Sequence, residues 1–241
     1  MSRRWRVGVR GSSAAFQHLS HYLTDGMALT YRDSPGWRLE ADIFEAVDDL
    51  DLVRADAERL FAQIRGVARL RLGVDVPLEL DDSIYRRTGD GELEDHFVSL
   101  GATLTIESYL TASSTGGQPV PLASTLDLAD AQTDERVSAA LTLFGMPPAW
   151  RTLSMVLDLV REEVPERAIA KRGWATAAKV KRFNSTANSY RAVGTDARHG
   201  KLKWQPPKHP MTLHDARLLV GGILRAWLDD RRPAPATDGR P

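Results

Sequence analysis

The chain is 241 residues long, has no cysteine, is 42% hydrophobic and 27% charged, and balances 32 Lys and Arg with 32 Asp and Glu. Without cysteine there are no disulfides, thiolate zinc sites or cysteine nucleophiles, and a formal charge of zero means that any attraction to nucleic acid must be regional. No apolar stretch of signal-peptide length follows Arg3 and Arg4 and none approaches the ~20 residues of a membrane span, so the expectation is a cytoplasmic protein of one large or two modest domains.

Trp5, Val7 and Val9 alternate with Arg4, Arg6 and Arg10, which predicts a half-buried strand. Gly8 to Ser13 then lead into a helical spacing of Phe16, Leu19, Tyr22 and Leu23. That stretch lacks both the dinucleotide fingerprint and the P-loop Lys-Ser/Thr, and reads as a turn. His18 and His21 have no carboxylate at ligand spacing, and no metal or cofactor is expected. Residues 27–45 read as two strands around Asp33-Ser34-Pro35-Gly36. Asp49 or Asp51 caps a helix whose stripe is Leu52, Val53, Ala57, Leu60, Phe61 and Ile64, with Gly66 as its stop.

Beyond Gly66 the apolar period falls to two, which predicts strands over 67–72, 77–80 and the set Val98, Leu100, Ala102, Leu104 and Ile106, with a turn at 88–91. The acids Asp81, Asp82, Glu92, Glu94 and Asp95 suit a solvated hairpin. Residues 112–119 have nothing apolar to anchor them, and the connection between domains is expected within 108–135. Residues 1–125 therefore read as an α+β domain with a largely antiparallel sheet.

The rest is helical. Val137, Ala140, Leu141 and Phe144 form one stripe, stopped by Gly145 and Pro147-Pro148; Leu153, Val156, Leu157, Val160 and Val164 form the next, closed by Pro165. Shorter helices are predicted over 167–183 and 184–191, then a proline-broken basic loop from Lys201 to Pro210. Thr212 with Asp215 makes a partial capping box for the last helix, whose face is Leu213, Ala216, Val220, Ile223, Leu224, Trp227 and Leu228. Gly221-Gly222 in its middle cost roughly 1 kcal/mol each against Ala, so close packing is expected there. Residues 135–231 thus form a basic helical domain, and 232–241 a disordered tail.

Charge is unevenly spread: residues 1–150 sum to −9 and 151–241 to +9. Ten bases against the single acid Asp196 fall within 171–208, interleaved with Trp174, Phe183, Tyr190 and Trp204. Positive potential beside flat apolar surfaces suits a polyanion with stackable bases, DNA or RNA. The residues expected to contact it are Lys179, Lys181, Arg182, Arg198, Lys201, Lys203, Trp204 and Lys208. Asn184, Ser185, Thr186, Asn188 and Ser189 favour caps and turns, because such side chains bond to nearby backbone. A different reading makes the asymmetry an assembly device, the acidic half of one copy meeting the basic half of another, or a protein partner.

Residues 169–183 partly resemble a helix-turn-helix. A small residue precedes the turn glycine Gly173, Val180 and Phe183 take core-facing positions, and Lys179, Lys181 and Arg182 face outward. The Ala170-to-Gly173 spacing is one residue shorter than in that motif. Arg198-His199-Gly200, then a loop and the Thr212-capped helix, resembles over about 135–230 the HEPN-type helical domains of prokaryotic RNases and abortive-infection toxins. That resemblance implies a metal-independent endoribonuclease of a defence system, with His199 as general acid/base and Arg198 or Arg191 stabilising the phosphorane charge. The family sets its arginine and histidine four to six residues apart on one helix, whereas seven residues separate Arg191 from His199 here. The competing reading pairs Arg198 with Asp196 and has His199 donate to a backbone carbonyl at a helix end.

Overall fold

A computed structural model describes residues 5–11, 13–20, 23, 26–32, 36–73, 75, 79–87, 93–97, 122–199 and 202–232. The alternating segment Trp5–Arg10 is strand β1, near the middle of a five-stranded antiparallel sheet. Its companions are β2 (Met27–Arg32), β3 (Gly36–Ala41), β4 (Glu79–Arg87) and β5 (Leu93–Phe97), in the order β2-β3-β1-β4-β5. Val7 lies opposite Leu39 of β3 and Ile84 of β4. All three side chains are fully buried.

β1 is not half-buried as its alternation predicts, because its other face is covered as well. Arg6 is 5% exposed and Glu40, opposite it on β3, is 8% exposed; Arg6 Nε lies 2.8 Å from Glu40 Oε1. Thr30 Oγ1 adds a hydrogen bond to the same carboxylate oxygen at 3.0 Å. The buried Arg38 guanidinium lies 4.0 Å from the centroid of the Tyr85 ring. Cation–π contact and ion pairing are what make a charged sheet face tolerable out of water.

Helix α1 (Ser13–Ser20) buries Phe16 and Leu19. Helix α2 (Leu50–Val67) is capped by Asp49, whose Oδ1 accepts from the backbone N–H groups of Asp51 and Leu52 at 2.8 and 3.2 Å. Its predicted stripe is buried except for Leu52, which is 57% exposed in the first turn. Gly66 does not stop this helix, and residues 67–72 are not a strand. The helix runs to Val67 and continues as a π-helical turn, Ala68–Leu72, with Gly66 buried inside it. The stop is Gly73, at φ +68°, a left-handed conformation open to glycine at little cost.

That extension is held by helix α3 (Leu122–Thr133). Arg71 donates from Nε and an Nη to the two carboxylate oxygens of the fully buried Asp127 at 2.6 and 3.0 Å. Gln132 bonds Gln63 at 3.2 Å. The predicted strand at 98–106, turn at 88–91, loop at 112–119 and tail beyond Arg232 lie outside the described residues. The chain divides into two units, residues 1–133 and 134–241.

The second unit consists of α4 (Glu135–Gly145), α5 (Trp150–Glu163), α6 (Glu166–Lys171), α7 (Ala177–Ala187), the single turn α8 (Tyr190–Val193) and α9 (Leu213–Asp230). The stripes of α4, α5 and α9 are buried as their spacing predicts, Leu213 alone staying half-exposed. Close packing holds for one glycine of the pair. A Cβ on Gly221 would sit 2.9 Å from Phe144 Cζ, whereas one on Gly222 would meet nothing within 4 Å.

Charged side chains tie the ends of these helices together. Arg231 pairs with both Asp134, the N-cap of α4, and Glu163. Trp227 Nε1 donates to Glu163 at 2.9 Å, and Arg136 bonds Glu162 and Glu163 at 3.0 and 2.5 Å. Burial works against the charge on Glu163, but the donors Arg231, Trp227 and Arg136 outweigh it and hold the carboxyl below its ordinary range. Asp134 is depressed likewise, against burial, by the N–H groups of Val137 and Arg136 and by Arg231. Among the described residues no helix is long and apolar enough to cross a membrane. Nor does any group of three or more His, Asp or Glu among them come together as a metal site.

Candidate nucleic-acid interface

α6 and α7 form a helical hairpin around a turn at Arg172–Thr176, with Gly173 at φ +75°. Thr176 caps α7 by accepting from the Lys179 N–H at 3.3 Å. Val180 and Phe183 are 1% exposed, and Phe183 packs on Trp150 of α5 with ring centroids 5.8 Å apart. The same 3.6-residue period that turns them inward leaves Lys179, Lys181 and Arg182 outside.

A loop folds back onto the second half of α7 and onto α8. Arg182 donates from Nε to the His209 carbonyl at 2.8 Å and from an Nη to the Pro210 carbonyl at 3.1 Å. Thr186, fully buried, accepts from the Met211 N–H at 3.0 Å and donates to the Arg182 carbonyl at 2.9 Å. Ser189 Oγ, also fully buried, donates to the Trp204 carbonyl at 3.0 Å. Arg191 reaches Gln205 Oε1 at 3.3 Å. Thr186 and Ser189 therefore hold backbone, but backbone of the distant 204–211 stretch, and Ser189, at the N-cap of α8, makes no side-chain cap bond of the kind expected of that polar cluster. Asn184 instead joins side chains, accepting from Arg161 at 3.2 Å and donating to Glu166 at 3.4 Å.

Comparison with protein-family models, with curated proteins and with solved structures finds no match.

The arginines of the expected site are occupied within the unit. Arg182 holds the loop, and Arg198 pairs with Asp158 of α5 at 2.6 Å, not with Asp196. Asp196 instead caps α5 from a distance in sequence, accepting from the Trp150 N–H at 2.7 Å and the Arg151 N–H at 3.5 Å. Ala149, the N-cap of α5, has no side-chain oxygen for that work. Arg136, Arg161, Arg172, Arg231 and Arg232 are likewise paired with acids. Arg191 lies on α8, while His199 is exposed in the bend beyond the 3-10 turn Gly194–Asp196, so the two do not share a helix.

The lysines differ. Lys171, Lys179, Lys181, Lys203 and Lys208 are all exposed, and among the described residues none of them has an acidic partner. Lys201 lies outside the described residues. These six are every lysine in the chain, whose other 26 basic residues are arginine. Counting Lys and Arg together hides that partition, and counting lysine alone exposes it. The aromatic set divides too. Phe183 is core and Trp174 half-buried, whereas Tyr190 and Trp204 are each 42% exposed. Lys203 Nζ stands 5.7 Å from the Trp204 ring centroid.

Proposed function

We propose that the second unit binds the phosphate backbone of a nucleic acid through the lysine-bearing surface of α7 and the 202–210 loop. The observation that supports this most is the partition of its bases. Arginine forms fixed, directional pairs that hold helices together, whereas lysine presents a hydrated point charge on a flexible stem. A segment that gathers every lysine of the protein, the five described ones exposed and without an acidic partner among the described residues, is suited to mobile, sequence-independent phosphate contact.

Fluorescence anisotropy over a salt series tests it. With about five lysines engaged, log Kobs falls against log salt with a slope of roughly −4.5 on duplex or −3.5 on a single strand. Changing Lys179→Ala together with Lys181→Ala makes the slope shallower by roughly one unit per lysine. Absence of binding to every probe at about 50 mM salt would remove the reading and leave the surface as a solvated face or a protein interface.

A further inference from the structure

We infer that the ligand of this surface is an unpaired strand, with bases stacking on Trp204 and Tyr190; this rests on the phosphate-binding reading above. The two rings are brought to one neighbourhood by bonds between their own segments. Ser189 holds the Trp204 carbonyl at 3.0 Å and Arg191 holds Gln205 at 3.3 Å, so the turn that carries Tyr190 runs beside the stretch that carries Trp204. The core of the unit accepts large aromatics, since Trp150 and Trp227 are only 6% and 1% exposed. Tyr190 and Trp204 stay 42% exposed, with Leu202 between them in sequence at 64%. Apolar rings left in water beside cations match nucleobases, which have a π face and carry phosphate alongside. Lys203, with its ammonium 5.7 Å from the indole centroid, supplies charge at the stacking surface itself.

A duplex offers this surface less. Its bases stack on one another, and a side-chain ring reaches their faces only by unstacking a step, which costs free energy that a single strand does not pay. Helical readers of duplex DNA use forked side chains on base edges. The candidates on α7 are engaged within the unit: Arg182 with two loop carbonyls, Asn184 with Arg161 and Glu166. The loop bound to Arg182 and Thr186 also lies against the second half of that helix.

The experiment uses the full chain and four labelled probes of equal length: oligo(dT), oligo(rU), a duplex, and an abasic strand with the same phosphates. Binding to oligo(dT) or oligo(rU) tighter than to both duplex and abasic strand is expected. Trp204→Ala weakens single-strand binding roughly five- to 150-fold without altering the salt slope, and Trp204→Phe restores most of the loss. Duplex bound as tightly as the single strands, or the abasic strand bound as tightly as oligo(dT) and oligo(rU), overturns the inference and leaves phosphate binding standing. The abasic comparison is made on the unaltered protein, so it holds even if a Trp204 variant misfolds. Failure of all four probes to bind at about 50 mM salt is the separate outcome that overturns phosphate binding itself.

Discussion

Two adjacent glycines in α9 have opposite jobs. Gly221 is where α9 meets α4, and an added methyl would collide with Phe144 Cζ at 2.9 Å. Gly222 faces open space. Gly221→Ala should destabilise the protein by about 1–3 kcal/mol through overpacking, whereas Gly222→Ala should stabilise it by about 1 kcal/mol through helix propensity. Urea denaturation of the two variants decides this, and equal effects would show that Phe144 simply moves aside. Sequence spacing says that a glycine pair in a helix needs a reason but not which member carries it, because Phe144 is far away along the chain. Arg198 teaches the same lesson. Its neighbour Asp196 looks like the partner, yet α5 begins at Ala149, which cannot cap, and Asp196 serves there, leaving Arg198 to Asp158.

At the scale of an element, the 202–212 loop depends on the helix beneath it. Arg182→Ala removes two hydrogen bonds to the carbonyls of His209 and Pro210, and the expected result is faster proteolytic nicking between Leu202 and Pro210 with the far-UV helical signal retained. Cutting at the wild-type rate would show that Thr186 and Ser189 suffice. Helices with a single apolar stripe were legible from the sequence: α4, α5, α7 and, apart from Leu213, α9 bury the residues their period selects, because a 3.6-residue repeat has one geometric meaning. The 66–72 segment was not. Its alternation of Leu and Arg mimics a strand, but Arg71 is committed to the buried Asp127, 56 residues on, and that pairing fixes a wide helical turn. The alternation of β1 marks it as a strand but not its exposure, since Glu40 and Tyr85, the groups that make a buried Arg6 and Arg38 acceptable, lie on other strands. At the interface, the outward direction of Lys179 and Lys181 followed from the helical period. The diversion of Arg182 and Arg198 into the framework did not, because it depends on carbonyls and a carboxylate supplied from elsewhere in the chain.

Over the whole molecule, the first unit carries 13 Lys and Arg against 21 Asp and Glu, and the second 19 against 11. In the second unit the few acids are mostly structural, which sets its response to pH. Glu163 and Asp134 have depressed pKa values in the folded state, so their contribution is present above the ordinary carboxylate range and is lost as pH falls through the folded value. Glu163→Gln should cost about 1–2 kcal/mol at neutral pH, discounted for partial exposure, and the gap to wild type should close on acidification. Thermal melts at several pH values, followed by near-ultraviolet circular dichroism, measure it, and a gap independent of pH would sink the assignment. The confinement of every lysine to residues 171–208 gives the protein a chemical address. An amine-directed acylating reagent, which ignores arginine, has no lysine to modify outside that segment, so it should label residues within 171–208 and the α-amino group. It should abolish the proposed nucleic-acid binding while leaving the arginine–carboxylate framework intact, and, on that proposal, added nucleic acid should slow the acylation of those lysines.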